Sequence, residues 1–454
     1  MRPDDWDDFI SVVRDRRISH VDGNGMMTDD SLRRIAQLDH VVSLNLAGSR
    51  ELTDEGLLHL AAMPQLERLD LSGHPGGKLT DRGLLVLRHL ANLRRFEMCW
   101  QRGFTDAGVA NLRYCPKLEQ ANLMGSLTGD GAIEALQGLE RLTDFSTGRL
   151  TTDAALPLLH NFPRLKNYDG PPLAPGAQDR PSGAARLLLD GPFTDAGLAG
   201  LSGLAGVFEL DLFWHVTGIT SGGFAHLTAL PNLAVLGCDG KLSSNQAMPH
   251  FAAIPNLRRL RIQESVATRE GFEALSKSQT LESIWGRECP HFETRAFLAL
   301  SKMPALRGFG IGCRNVDDAA LATLPDFPSL RELTPIGFSD AGFRHIGRCR
   351  QIDRLTCMYC RETGDIATGH IVDLPLTYYY AGLTRITDVS LEILGRIRTL
   401  EQIEFYECKG PTDAGLPYLA ALPELKEAHF SSLPGVTLAG TKVFPPGVRV
   451  YYST

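Results

Sequence analysis

Leu66-Glu67-Arg68-Leu69-Asp70-Leu71, followed nine residues after its last leucine by Thr80-Asp81-Arg82-Gly83-Leu84, is the stretch whose reading decides the fold. Its first part alternates apolar and polar residues, as a strand with one buried and one wet face does. Its second part opens on a helix-capping Thr and continues with apolar residues at helical spacing. The Thr-Asp part returns about every 25 residues, a period that marks stacked units unable to bury an apolar face alone. Thr53-Asp54-Glu55-Gly56-Leu57, Thr105-Asp106-Ala107-Gly108-Val109, Thr194-Asp195-Ala196-Gly197-Leu198 and Thr412-Asp413-Ala414-Gly415-Leu416 are further copies.

Aligned on this signature, one column reads inward: Leu44, Leu69, Phe96, Ala121, Phe145, Tyr168, Leu187, Leu210 and Leu236 in the first half, with Ser19 as a polar first member. It continues through Leu260, Ile284, Phe309, Leu333, Leu355, Tyr378, Ile403, Ala428 and Val450. Proline often precedes the next strand, as at Pro64, Pro231 and Pro304, and ends the helix there. Each unit is therefore strand, turn, short helix and return, predicting an α/β array of about 19 parallel strands. Strands stack at about 4.8 Å and helices at about 8–10 Å, so the expected array is a horseshoe with a concave sheet and convex helices.

The Leu-x-x-Leu-x-Leu plus Leu-Thr-Asp-x-Gly-Leu pattern resembles the leucine-rich repeat proteins over nearly the whole chain. It is most similar to the cysteine-containing, ribonuclease-inhibitor-like subclass found in F-box-associated and bacterial repeat proteins. Cys289, Cys360 and Cys408 fall five residues after the inward residue, where the resemblance implies a side-chain ladder against loop backbone. Ser49, His74, Ser126 and His215 take that place in other copies. The resemblance implies recognition in general and names no target.

Residues 1–17, with Trp6, Phe9, Ile10 and Val13 at helical spacing, read as an N-terminal capping helix, 18–440 as one continuous array and 441–454 as a closing strand. Near 170–185 a Pro/Gly-rich stretch from Gly170 to Gly183 cannot be helical. There one unit is expected to have lost its helix to an irregular loop on the convex side. The loop is either drift tolerated by the array or a partner-specific device.

A net charge of -7 disfavours nucleic acid. No stretch approaches a membrane span, and nine scattered cysteines read as reduced thiols, so a cytoplasmic protein is expected. Cys357-Met358-Tyr359-Cys360 has zinc-like spacing but no second pair, and no nucleophile elbow, phosphate loop or His-Glu-x-x-His is present. His20, His215 and His429 are placed to meet carboxylates, as any wet histidine is. No catalytic residue, metal or cofactor is expected.

The expectation is a non-enzymatic scaffold binding a protein or peptide on the concave sheet, with no nucleic-acid or membrane partner and a monomer favoured. Phe213, Arg261, Trp285, Arg287, Met358, Tyr379, Glu404 and Tyr406 are the projecting candidates, with Trp100, Glu209, Asp211 and Trp214 secondary. They concentrate in the second half, although scattered aromatics on a long solenoid need no ligand. Acidic neighbours favour a partner offering Lys or Arg. An enzyme or small-molecule sensor using the concave bowl, and a self-assembling solenoid, are the alternatives.

Overall fold

A computed structural model describes residues 3–453 other than 24, 74–76, 178 and 359. The predicted ladder residue His74 and Tyr359 of the Cys-x-x-Cys run therefore lie outside the described residues. The chain divides into two compact units, one reaching Gly237 with Ile254–Asn256, the other comprising Cys238–Ala253 and Leu257 onward.

The first unit holds β1 (His20–Asp22), β2 (Ser43–Asn45), β3 (Arg68–Asp70), β4 (Arg95–Glu97), β5 (Gln120–Asn122), β6 (Asp144–Ser146), β7 (Ala185–Leu189), β8 (Val207–Leu212) and β9 (Val235–Cys238), whose last residue counts with the second unit. The second holds β10 (Arg259–Arg261), β11 (Ser283–Gly286), β12 (Gly308–Ile311), β13 (Glu332–Leu333), β14 (Arg354–Met358), β15 (Tyr378–Gly382), β16 (Gln402–Tyr406), β17 (Glu427–Ser431) and β18 (Arg449–Ser453). Neighbours pair in parallel, and one buried residue per strand lines up: Val21, Leu44, Leu69, Phe96, Ala121, Phe145, Leu187 and Leu210 in the first unit. Leu260, Ile284, Phe309, Leu333, Leu355, Tyr379, Ile403 and Ala428 do so in the second, where the half-buried Val450 registers opposite Ala428. Short helical segments join the strands. This is the leucine-rich-repeat solenoid fold, with eighteen strands among the described residues.

Three expectations are corrected. Val21, not Ser19, fills the first inward place, because β1 registers two residues later. Tyr379, not Tyr378, fills the fifteenth, opposite Leu355 and Ile403. Tyr168 forms no strand: β6 pairs directly with β7, Phe145 opposite Leu187. That repeat keeps its helical turns at Asp153–Asn161 and Pro163–Lys166 and gives up the strand, the reverse of the predicted loss.

The Thr-Asp signature is a stitch between repeats. Thr105 donates its N–H and hydroxyl to the Asp81 carboxylate of the preceding repeat, at 2.7 and 2.6 Å. The same hydroxyl oxygen accepts from Ala107 N at 3.3 Å and caps its own helix. A Cβ on Gly108 would stand 2.3 Å from Asp81 Oδ1, so the glycine makes room for the carboxylate, while Val109 is buried. Asp29–Thr53, Asp54–Thr80, Asp130–Thr152 and Asp195–Thr220 repeat the stitch in the first unit, and Asp365–Thr387, Asp388–Thr412 and Asp413–Thr437 in the second. Asp153 reaches Thr194 in the same way across the long insertion, so residues between them belong to a single repeat.

A second ladder runs where the sequence places it. Cys289, Cys360 and Cys408 donate their thiols to the carbonyls of Ile262, Pro335 and Ala381, at 3.4, 3.3 and 3.4 Å. Burial raises the Cys289 thiol to about 11, so it acts as a small donor and not as a thiolate. At the N-terminus, helix α1 (Pro3–Asp15) buries Trp6, Ile10 and Val13, and Asp7 pairs with Arg34.

Candidate functional site: an aromatic cluster beside the open strand face

Residues flanking the inward column face away from the helices and form an open strand face. In the first unit the loops leaving β5, β6 and β7 converge on Asp190, which is fully buried. Its carboxylate accepts from Gly125 N at 2.6 Å and from His215 Nδ1 at 2.5 Å. Its backbone N–H and carbonyl both bond the Thr147 hydroxyl, at 2.7 and 3.0 Å. A buried carboxylate demands such partners, and they fix the loops around it.

On this base stand Trp100, Phe213 and Trp214. Phe213 and Trp214 stack with centroids 4.9 Å apart, and the Trp100 ring lies 5.9 Å from Phe213, 6.1 Å from Trp214 and 6.0 Å from His215. Trp100 follows β4 and Phe213 follows β8, four strands on, a span of roughly 19 Å at strand spacing. The indole bridges it because Trp100 sits at φ +60° and lies over Gly125, itself at φ +72°. A Cβ on Gly125 would stand 2.6 Å from the indole. Gly125→Ala is therefore expected to displace Trp100 and cost about 1–2 kcal/mol, through the left-handed backbone and the clash. Near-UV circular dichroism checks this: the aromatic signal falls while the far-UV spectrum stays.

A hollow of about 280 Å³ lies on the open face, lined by Gln120, Asn122, Met124, Asp144, Ser146, Arg186 and Leu188 among others. Trp100 N donates to Met124 O at 2.8 Å, tying the two features together. Drug-sized ligands occupy about 300–1,000 Å³, so this hollow suits one or two side chains better. Arg186 crosses the face to Asp211 at 2.8 Å and Glu209 at 3.4 Å, so both acidic candidates are ion-paired. Burial and the nearby Asp70 charge push the Glu97 carboxyl above its ordinary value.

The second-unit candidates do not gather. Trp285 lies against Gly310, where a Cβ would meet the indole at 2.9 Å. Tyr406, 39% exposed, is five strands from Trp285, roughly 24 Å at strand spacing. Arg261 registers with Trp285, and Arg287 Nε lies 3.7 Å from Glu288. Met358 and Tyr406 project on either side of Gly382. Glu404 accepts from the Gln402 amide at 2.7 Å. Tyr379 is the candidate the structure overturns: it is only 2% exposed, packed inward, and its neighbour Tyr378 takes the open face under the Arg354 guanidinium at 4.2 Å. Of the histidines, His215 meets Asp190 and His429 lies 3.6 Å from Glu427, while His20 Nδ1 faces Ser19 Oγ at 2.8 Å. Cys357 is buried beside Tyr379. Asp190 was missed by sequence reasoning, since a lone Asp after Leu187-Leu188-Leu189 reads as a strand end.

No protein-family model matches the chain, and neither does any curated protein. Solved structures similar to it include the yeast Rad7–Elc1 complex, at 17% identity and TM-score 0.44 over 73% of this chain and 82% of that one. An internalin of Listeria monocytogenes is similar at 14% identity and TM-score 0.26, over 89% of both chains. The TLR13–ssRNA13 complex is similar at 14% and 0.46, over 87% of this chain and 66% of that one. At such TM-scores these likenesses add nothing to the residue-level argument. Among the described residues no helix is long and apolar enough to cross a membrane.

Proposed function

We propose that this is a non-enzymatic interaction protein whose open strand face binds another protein or a peptide, anchored by Trp100, Phe213 and Trp214. One observation carries the reading: Trp214 is 69% exposed yet held in a stack on Phe213 above a buried, fully bonded carboxylate. An exposed indole does little for the fold. Covering one contributes about 2 kcal/mol or more to binding, and a preset ring loses little entropy on contact. The net charge of -7 supports a protein partner over a polyanion, and nine unpaired cysteines support a reducing, cytoplasmic setting.

The test is capture of a partner from cell extract by the wild-type chain, followed by affinity measurement with variants. Trp100→Ala with Trp214→Ala is expected to weaken binding about 30-fold or more, with the thermal midpoint of Trp214→Ala unchanged. Affinity within threefold of wild type removes the cluster as the anchor.

His215 oriented by Asp190 favours a second reading, in which the imidazole serves as a general base. The nearby hydroxyls are already engaged, Ser126 with Thr128 at 2.9 Å and Thr147 with the Asp190 backbone. A small-molecule library that raises the melting temperature of wild type and not of His215→Ala would support that reading over the first.

A further inference from the structure

The insertion between Asn167 and Ala184 packs on the strand face, opposite to the convex position its composition suggested. Leu173, with Tyr168 and Ala177, covers Phe208, Ala234 and Val235 in a small apolar cluster. Tyr168 meets Phe208 edge to face at 4.7 Å, and Phe208 is the extra residue of a bulge between β7 and β8. Seven residues after Leu173, one guanidinium nitrogen of Arg180 reaches both carboxylate oxygens of Asp144, at 2.8 and 2.9 Å, at the rim of the hollow.

The repeat does not require these apolar residues. At the places of Phe208, Ala234 and Val235, the entries to strands β3, β4 and β5 carry Glu67 and Arg68, Arg94 and Arg95, and Glu119 and Gln120. Nor does the ladder require the insertion: Asp153 stitches to Thr194, and β6 registers with β7, with the insertion looped out between them. Its prolines at 171, 172, 175 and 181 exclude a helix, turns closed by Ala177 N on Ala174 O and by Ala184 N on Pro181 O fold it at 3.1 Å each, and many of its described residues are exposed.

The geometry points to a displaceable strap: the insertion occupies, in cis, a binding surface for a peptide that offers a large aliphatic anchor and an arginine seven residues on. The partner chemistry is read from the strap itself, since Leu173 fills the apolar patch and Arg180 answers Asp144. The tethered segment has an effective concentration no free peptide matches, so an outside ligand enters only when it binds better or when the strap is lifted. The apolar patch of this surface, Phe208, Ala234 and Val235, lies at the start of β8 and β9, whereas the aromatic cluster follows β4 and β8, and the test of the strap needs no outside partner.

The test uses the full chain with residues 170–182 replaced by a Gly-Ser linker of equal length, and a fluorescent synthetic peptide of residues 168–183. By fluorescence anisotropy the peptide is expected to bind the strapless chain at least about tenfold more tightly than wild type, the cis competitor being gone. Asp144→Asn in the chain, or Leu173→Asp or Arg180→Gln in the peptide, is expected to weaken it about tenfold. No saturation on the strapless chain, equal binding to both chains, or a strapless chain that does not fold overturns the proposal. Hydrogen exchange on wild type gives a second decision: strap amides exchange well ahead of those of β7 and β8 if the strap lifts locally, and together with them if it is structural.

Discussion

Asp365→Ala is expected to destabilise the second unit by about 3 kcal/mol, because buried donors left without an acceptor each cost about 1–3 kcal/mol. Four donors converge on that carboxylate: Thr387 N and hydroxyl at 2.9 and 2.8 Å, and Ser390 N and hydroxyl at 3.2 and 2.6 Å. Burial alone would raise the Asp365 carboxyl, but the hydrogen bonds from Ser390 and Thr387 outweigh it and hold it below its ordinary 3.8. The sign follows. A depressed folded value contributes stability that is complete above pH 3.8 and is lost as pH falls through the lower folded value. The gap between wild type and Asp365→Ala in urea melts should therefore be full at neutral pH and close in acid.

Asp365→Asn supplies the control, because the chain already contains that solution. Asn245 accepts from Thr268 N at 2.7 Å and donates its amide to Thr268 Oγ1 at 2.8 Å, which turns the threonine hydroxyl toward Glu270. At the position matching Glu270 the Asp365 repeat has Val389, so the turned Thr387 hydroxyl must use solvent. A loss of about 1 kcal/mol is expected, between neutral and the alanine value. Equal losses for Asn and Ala would mean that charge, and not the bonding pattern, sustains the stitch.

Tyr379→Ala is expected to cost about 4 kcal/mol, as aromatic truncation in a closed core does, whereas Tyr378→Ala costs about 1 kcal/mol or less. Tyr379 packs toward Phe405 at 6.3 Å, with Thr368 and Cys357 against its hydroxyl. Tyr378 loses only an open-face contact with Arg354 and Glu404. Chemical denaturation of the two variants decides the register: a reversed order would restore Tyr378 to the inward column.

That register shows where sequence reading runs out. Alternation assigns faces only when neighbours differ, and Tyr378-Tyr379-Tyr380 offers three like residues, so a one-residue slip is invisible. A left-handed residue four places after the inward position resolves it here, since Leu383 follows Tyr379 as Glu407 follows Ile403 and Ser432 follows Ala428. The Thr-Asp period was legible because every residue of the signature acts locally, capping a helix, stitching two repeats, clearing space for a carboxylate or filling the core. The stretched spacing before Asp195 was equally plain, but which element it removed depends on the Asp153–Thr194 stitch, a contact between distant residues.

The candidate site was legible in parts only. Alternation and position picked out Phe213, Trp100 and Trp214 as exposed near the strand ends, and Trp285 and Tyr406 by the same rule. Nothing in the pattern says that the first three meet while the last two stay apart. That depends on Gly125 lacking a side chain and on Asp190 drawing three loops together.

Hydrogen exchange of the wild-type chain, alone and saturated with its captured partner, tests the binding face most directly. Slowed exchange is predicted in the loops at residues 98–103, 123–126 and 213–216, beside the aromatic cluster. Slowing confined to helical segments such as Asp195–Gly200, with those loops unchanged, would contradict it.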